Sequence, residues 1–362
     1  MADAVSRSIQ RPLVIAHRGA SAYRPEHTLA SYQLALEMGA DFVEPDLVAT
    51  RDGVLVCRHE NALAILREDG SVDREWTSTD IFARPEFADR LCRKTVDGQT
   101  IRGWFSEDLT LAEIRQLRCL ERIPHLRPGN IRWDGKFTIP TFAEVLALVQ
   151  AHAERTGRLA GVYPETKHPS WFLDEGHFHD GPRIGLCLGE LLIRDLLAAA
   201  FLDPSRVFIQ SFEVSNLRDL KARIMPAAGL DLPLIQLMSP RHAPWDSLLS
   251  GRPVDWQGPI DHEALARYAS GLGPERSMAL PRDRAGRPDA ASSLVSEAHA
   301  HGLDVHVWTL RGENHFLPLV HRRGDAPDVP GDLAAEVREL WAIGVDGFFT
   351  DNPDRVKGVL KA

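Results

Sequence analysis

The feature that most restricts this sequence is an alternation, from residue 13 to the end, of short apolar runs of strand character with segments of helical periodicity. Strands joined by helices run parallel, and a parallel sheet needs helices on its faces. Strands are expected at 14–17, 42–48, 54–57, 159–166, 207–211, 234–238, 278–280, 305–310 and 347–350. Helices are expected at 25–39, 141–155, 186–201, 214–223, 262–270, 290–301 and 333–343, followed by a closing one. Thr28 suits the first N-cap and Gly39 the first C-terminus. About eight strands alternate with helices, and no Gly-x-Gly-x-x-Gly follows any of them. The fold class is therefore α/β, a closed (β/α)8 TIM barrel rather than an open doubly wound sheet.

Between 61 and 136 the periodicity dissolves into charged, Gly-containing, Trp-bearing sequence with one helical patch, 110–120, which Thr110 and Glu113 open as a capping box. This stretch reads as an inserted lobe after the second strand region, in a barrel formed by 13–60 and 137–358. Trp76, Trp104 and Trp133 are expected to form its small core. A second irregular stretch, 239–258, is rich in proline.

Apolar residues make up 44% of the chain, enough for a full core, and the formal charge of −9 argues against general affinity for nucleic acid or anionic membranes. A small-molecule partner is expected. No run reaches the roughly 18 apolar residues of a membrane span. The most apolar window, 186–201, is broken by Glu190, Arg194 and Asp195 and reads as a buried amphipathic helix. Residues 1–12 carry two arginines and no apolar core, so the expected location is cytoplasmic, or periplasmic if a leader has been removed. Cys57, Cys92, Cys119 and Cys187 form no Cys-x-x-Cys pair and are expected to be free thiols.

The first strand ends on His17 and Arg18, and Gly19 then frees the backbone, a position expected to let a substrate approach. In Phe42-Val-Glu-Pro-Asp-Leu-Val48 two carboxylates stand two residues apart and so share a face. Pro45 cannot donate a ladder hydrogen bond and marks the end of pairing, the end at which barrel active sites lie. Crowded carboxylates stay ionised most readily around a divalent cation with oxygen preference, Ca²⁺ or Mg²⁺; outward-facing acids on an edge strand are the other reading. Glu165 and Lys167 share a face at the end of a further apolar run. Glu165 suits a third metal ligand, and Lys167 suits an anionic ligand such as phosphate. His59 follows the 54–57 strand, so that His17 and His59 flank the acids as candidate proton acceptor and donor. Trp308 can offer an apolar face to a substrate or fill the core.

His17-Arg-Gly-Ala20, Pro25-Glu-His-Thr28, Gly39-Ala-Asp41, Glu44-x-Asp46, Thr50-x-Asp-Gly53, Val56-x-x-His59, Pro164-Glu-x-Lys167, Trp308-Thr309, Gly344-Val-Asp-Gly347 and Thr350-Asp351 follow one another in order. Together they resemble the glycerophosphodiester phosphodiesterase family, in its longer, often periplasmic bacterial branch, over residues 13 to 355. The resemblance implies a metal-dependent TIM barrel that hydrolyses glycerophosphodiesters such as glycerophosphocholine to sn-glycerol 3-phosphate and an alcohol. It further implies His17 and His59 as the acid/base pair, Glu44, Asp46 and Glu165 as ligands of one Ca²⁺ or Mg²⁺, Arg18 and Lys167 as phosphate-binding groups, and Trp308 at the glycerol. Two departures stand out: His27 where the family often has asparagine, and Glu60 where it often has aspartate. Neither is expected to touch a proposed ligand. The alternatives are a lysophospholipase D-like phosphodiesterase whose lobe tryptophans meet an acyl chain, and a non-catalytic binding barrel.

Overall fold

The computed structural model describes residues 11–361. The leaderless N-terminus expected from 1–12 therefore lies, apart from Arg11 and Pro12, outside the described residues. The first strand is Leu13–His17. Two strands that follow are each split in two: Phe42–Glu44 with Asp46–Ala49, and Gly161–Val162 with Glu165–Thr166. Then come Ile209–Ser211, Leu234–Met238, Gly271–Pro274, Asp304–Leu310 and Gly347–Thr350. Neighbours along this order pair in parallel. Gly347–Thr350 pairs back onto Leu13–His17, which closes an eight-stranded barrel.

The splits have one cause. Pro45 and Pro164 carry no N–H, so the ladder breaks at each. Their carbonyls still accept, from Glu165 N and Gln210 N respectively, both at 2.9 Å. Three of the carboxylates expected in the site therefore flank prolines of fixed φ. The barrel interior below them is packed with Ile15, Phe42, Tyr163, Ile235 and Phe349, a filled core of the kind this architecture requires.

Helices cover the outside. Leu29–Glu37 begins one residue after Thr28, whose hydroxyl accepts from Ser31 N at 3.1 Å, as the N-cap reading expects. Residues 25–28 do not join it: His27 takes φ +55°, and its N–H donates to the Arg18 carbonyl at 3.1 Å. Leu188–Ala198 buries Leu188, Leu192, Ile193 and Leu196 while exposing the opposite side, the amphipathic helix expected there. Among the described residues no helix is long and apolar enough to cross a membrane, and all four cysteines are free thiols.

The expected strand at 278–280 is overturned: those residues lie in and just after the helix Arg276–Ala279, and the sixth barrel strand is Gly271–Pro274. Gly-Leu-Gly-Pro carries no β-branched residue and so gives no strand signal. Its glycine is needed for closeness, since a Cβ on Gly271 would lie 2.8 Å from the Asp304 carbonyl oxygen next door. The 54–57 run is a strand, Leu55–Cys57, yet it pairs antiparallel with Asp46–Ala49 as a hairpin and is no barrel stave. Within 61–136, Ala62–Ile65, Gln99–Phe105 and Cys92–Val96 form a three-stranded antiparallel sheet that periodicity does not reveal. Asp97 and Gly98, both at positive φ, make the two-residue turn of its last hairpin. The Thr110–Glu113 capping box is present. Ile81, Phe87, Phe105 and Ile114 belong to the same apolar cluster as the helices around the barrel.

Gly19 takes φ +88°, and a Cβ there would lie 2.5 Å from Ser31 Oγ and 2.7 Å from the Ser31 backbone carbon. The close approach at this glycine is thus made by the first helix rather than by the cavity. Gly19→Ala should destabilise the protein by about 1–3 kcal/mol, read as a lower denaturation midpoint. An unchanged midpoint would show that the first turn relaxes freely.

Candidate active site

The C-terminal strand ends surround a cavity of about 460 Å³, and His17, Arg18, Glu44, Asp46, His59, Glu165, Lys167 and Trp308 all line it. Residues predicted from five separate segments are therefore brought to one place. The acids form its floor. One carboxylate oxygen from each of Glu44, Asp46 and Glu165 lies within 4.8 Å of the others. All three are buried. Burial first, and then Asp46 and Glu165, push the Glu44 carboxyl well above the usual carboxylate range. Burial, with Asp46 adding to it, pushes Glu165 up to about 8 against the pull of Lys167. Asp46 goes the other way: although burial opposes it, Lys167, His27 and Arg18 hold it well below the ordinary value.

The cations are placed to match. Lys167 Nζ lies 2.8 Å from Glu165 Oε1 and 3.6 Å from Asp46 Oδ1. Arg18 reaches Asp46 at 3.3 Å through Nε and Glu26 at 3.0 Å through Nη1, and its backbone N–H donates to Glu44 Oε2 at 2.8 Å. Yet Asp46 Oδ1 is buried without a hydrogen-bond partner, as is the side-chain oxygen Oε1 of Gln210, whose Nε2 donates to Glu44 Oε1 at 3.1 Å. Three crowded acids, two of them of raised pKa, together with orphaned buried oxygens, suit a hard divalent cation with oxygen ligands.

The two histidines share one design. His17 Nδ1 sits 2.6 Å from Asp351 Oδ1, and His59 Nδ1 sits 2.8 Å from Glu60 Oε1. A carboxylate accepts, so in a neutral ring the proton resides on Nδ1 and the Nε2 lone pair is left free. Burial and then Arg18 push the His17 imidazole down to about 4, against Asp351. His59, its side chain 28% exposed at the rim, is also pushed down, by enclosure first and then by Arg18 and Lys167. Both rings are therefore neutral at pH 7 in the ligand-free site. Trp308 donates through Nε1 to the Gly273 carbonyl at 2.7 Å and meets Phe212 edge-on, their centroids 5.7 Å apart.

The expectation that neither departure touches a proposed ligand is overturned for His27, while Glu60 meets a proposed acid–base histidine instead. His27 Nε2 lies 2.9 Å from Asp46 Oδ2, with its other nitrogen on Tyr32 at 2.7 Å, and Glu60 holds His59. His27 reaches across because its own φ is +55°. Asp351 is visible in the sequence only as part of a motif string, and its pairing with His17 spans 334 residues. Arg127 and Arg311, which hold the far oxygen of Asp351 at 2.6 and 2.8 Å, give no sequence signal. None of Trp76, Trp104 and Trp133 lines the cavity. Trp104 is buried and donates to the Phe87 carbonyl at 2.7 Å, whereas Trp76 is exposed and Trp133 lies under the Arg24 guanidinium.

A closed parallel barrel with acids, imidazoles and cations converging at its C-terminal mouth is the architecture of a TIM-barrel enzyme. The model of the glycerophosphoryl diester phosphodiesterase family matches residues 17–355, and the chain belongs to that family. It is 31% identical over 351 residues to a glycerophosphodiester phosphodiesterase of Arabidopsis thaliana, covering 94% of this chain and 84% of the relative. To the Haemophilus influenzae glycerophosphodiester phosphodiesterase it is 29% identical over 363 residues, covering 94% and 88%. An Oleispira antarctica phosphodiesterase, solved with the product sn-glycerol-3-phosphate, shares the fold at 21% identity and a TM-score of 0.54, with 97% of each chain covered.

Proposed function

We propose that this protein hydrolyses glycerophosphodiesters to sn-glycerol 3-phosphate and an alcohol, with His17 and His59 as its acid–base pair. The observation that carries this reading is the convergence of three carboxylates, two cations and two carboxylate-backed imidazoles on one cavity. Family membership and the names of the relatives support the substrate class. Glu44, Asp46 and Glu165 would hold one divalent cation, Mg²⁺ or Ca²⁺, which when bound polarises the phosphate oxygens as a Lewis acid. Arg18 and Lys167 bind the phosphate and neutralise charge that builds on its oxygens in the transition state. Trp308 borders the glycerol carbons. One neutral histidine takes the proton of the glycerol 2-hydroxyl as its oxygen bonds to phosphorus. The other, which the bound anion favours in its protonated form, gives a proton to the departing alcohol. Water then opens the cyclic phosphate, and the proton movements reverse. We read residues 61–136 as a lobe inserted into the barrel of 13–60 and 137–358.

An enzyme-coupled assay for the released choline or ethanolamine, run over glycerophosphocholine, glycerophosphoethanolamine and lysophosphatidylcholine, with glycerol 3-phosphate measured as the co-product of the deacylated diesters, tests the reading. Release from the deacylated diesters should exceed release from the acylated one, since no lobe tryptophan reaches the cavity. Preference for the acylated substrate would reassign the chain to lysophospholipid cleavage. No product from any diester, with cation supplied, would refute it.

A further inference from the structure

Each proposed catalytic imidazole is backed by a carboxylate, and each of those carboxylates is tied to the segment 61–136, Asp351 directly and Glu60 through His168 of the barrel. Behind His59, the second oxygen of Glu60 lies 3.0 Å from His168 Nε2, and His168 Nδ1 lies 2.7 Å from Asp97 Oδ2. Asp97 stands at the tip of the hairpin that joins Cys92–Val96 to Gln99–Phe105. Behind His17, the second oxygen of Asp351 accepts from Arg127 Nη2 at 2.6 Å. Arg127 is fixed in turn by Glu313 at 2.7 Å and the Ser21 carbonyl at 2.9 Å.

The chemistry of the first chain is constrained. Ionised carboxylates only accept hydrogen bonds, so a ring with a carboxylate on each nitrogen must donate from both and is an imidazolium. His168 follows the third barrel strand at φ +52°, a conformation uncommon for a residue with a side chain and maintained only where the surroundings over-determine it. Two charge-assisted bonds do so here. Although burial opposes it, Asp97 and Glu60 hold this ring's pKa up to about 10. The second chain needs no protonation, since arginine is always charged, and its planar fork spans three acceptors at once.

We propose that the segment 61–136 is a positioning element for both acid–base histidines, acting on His59 from Asp97 through His168 and Glu60, and on His17 from Arg127 through Asp351. The proposal rests on the acid–base reading above. Asp97, His168 and Arg127 touch no reacting atom; they are positioning residues that fix the orientation and tautomer of the two rings. The lobe then contributes to turnover rather than to affinity, and its two contact points act independently, one on each histidine.

The test compares Asp97→Asn and Arg127→Met with wild type in the glycerol 3-phosphate assay and by ¹⁵N NMR of the histidine side chains. Each variant should lose about 10- to 100-fold in kcat with KM within about twofold, the range found when groups that orient a reactive ligand are removed. Asp97→Asn should disturb the His59 resonances and leave those of His17 in place, and Arg127→Met should do the converse. A role limited to holding the fold would move both sets or neither. Wild-type kcat in both variants overturns the proposal, as does an arm-specific variant that disturbs the wrong histidine. Should either variant not fold, the wild-type spectrum decides: His168 must carry protons on both nitrogens at pH 7.5, and a neutral ring overturns the proposal. If His17→Ala or His59→Ala retains full turnover, the acid–base reading itself fails. If those two are inactive while both arms are silent, only the present proposal fails.

Discussion

Replacing His17 or His59 by alanine should lower kcat for glycerophosphodiester hydrolysis by about 10²–10⁴-fold, the usual contribution of a general acid or base. KM should change little, since neither imidazole is the principal holder of the phosphate. The protein should stay folded by circular dichroism: the losses leave Asp351 with both of its arginines, and Glu60 with His168. Wild-type turnover in either variant would remove that histidine from the mechanism. The pH profile supplies a second reading of the same groups. His17 is pushed down to about 4, so its base form persists well below the ordinary histidine pKa of 6.5. With His17 as the base, the acid limb of kcat/KM should therefore be centred near that lower value and not near 6.5. An acid limb centred near 6.5 would mean that the ring is not neutral by virtue of its surroundings.

Removing the cation should have an effect of similar size. Excess chelator is expected to reduce turnover by at least ~10²-fold, because Lewis-acid stabilisation of phosphate oxygens supplies several kcal/mol. Added Mg²⁺ or Ca²⁺ should restore it. Binding is also visible without turnover: at a concentration 100 times Kd, a cation that binds only the folded state stabilises it by about 2.7 kcal/mol. The thermal midpoint should rise on addition of the preferred ion, and Asp46→Asn should abolish that rise. Full activity in chelator, with no cation-dependent change in melting, would refute the assignment of Glu44, Asp46 and Glu165.

What is legible in the sequence, and what is not, divides along physical lines. Charged groups closing apolar runs are costly to bury and therefore conspicuous, which is why five of the eight candidate site residues, Arg18, Glu44, Asp46, Glu165 and Lys167, stand out from the amino-acid order. Their partners follow no such rule. Asp351 meets His17 across nearly the whole chain, and Arg127 comes from a stretch without periodicity, so neither pairing has a local signature. His27 and Glu60 are visible as departures from the family strings, yet their contacts with Asp46 and His59 depend on a left-handed backbone at residue 27 and on the hairpin that carries 59 and 60. The sixth strand is hidden for the opposite reason. Gly271–Pro274 is defined by the closeness of its neighbours and not by its own side chains. Some motif residues prove architectural. Asp41 accepts from Val14 N at 2.9 Å, and Asp346 accepts from Val305 N at 2.8 Å, so both bind neighbouring strands at the end of the barrel away from the cavity.

The 334-residue separation between His17 and Asp351 also bears on how the enzyme is made. On a ribosome elongating at about 5–20 residues/s, the first strand waits on the order of tens of seconds for its last partner to emerge. Until then the incipient barrel has an open edge and His17 has no carboxylate. On the proposed mechanism a nascent chain should turn over slowly at best, and the onset of full hydrolysis during refolding should coincide with the closing of the ring of strands.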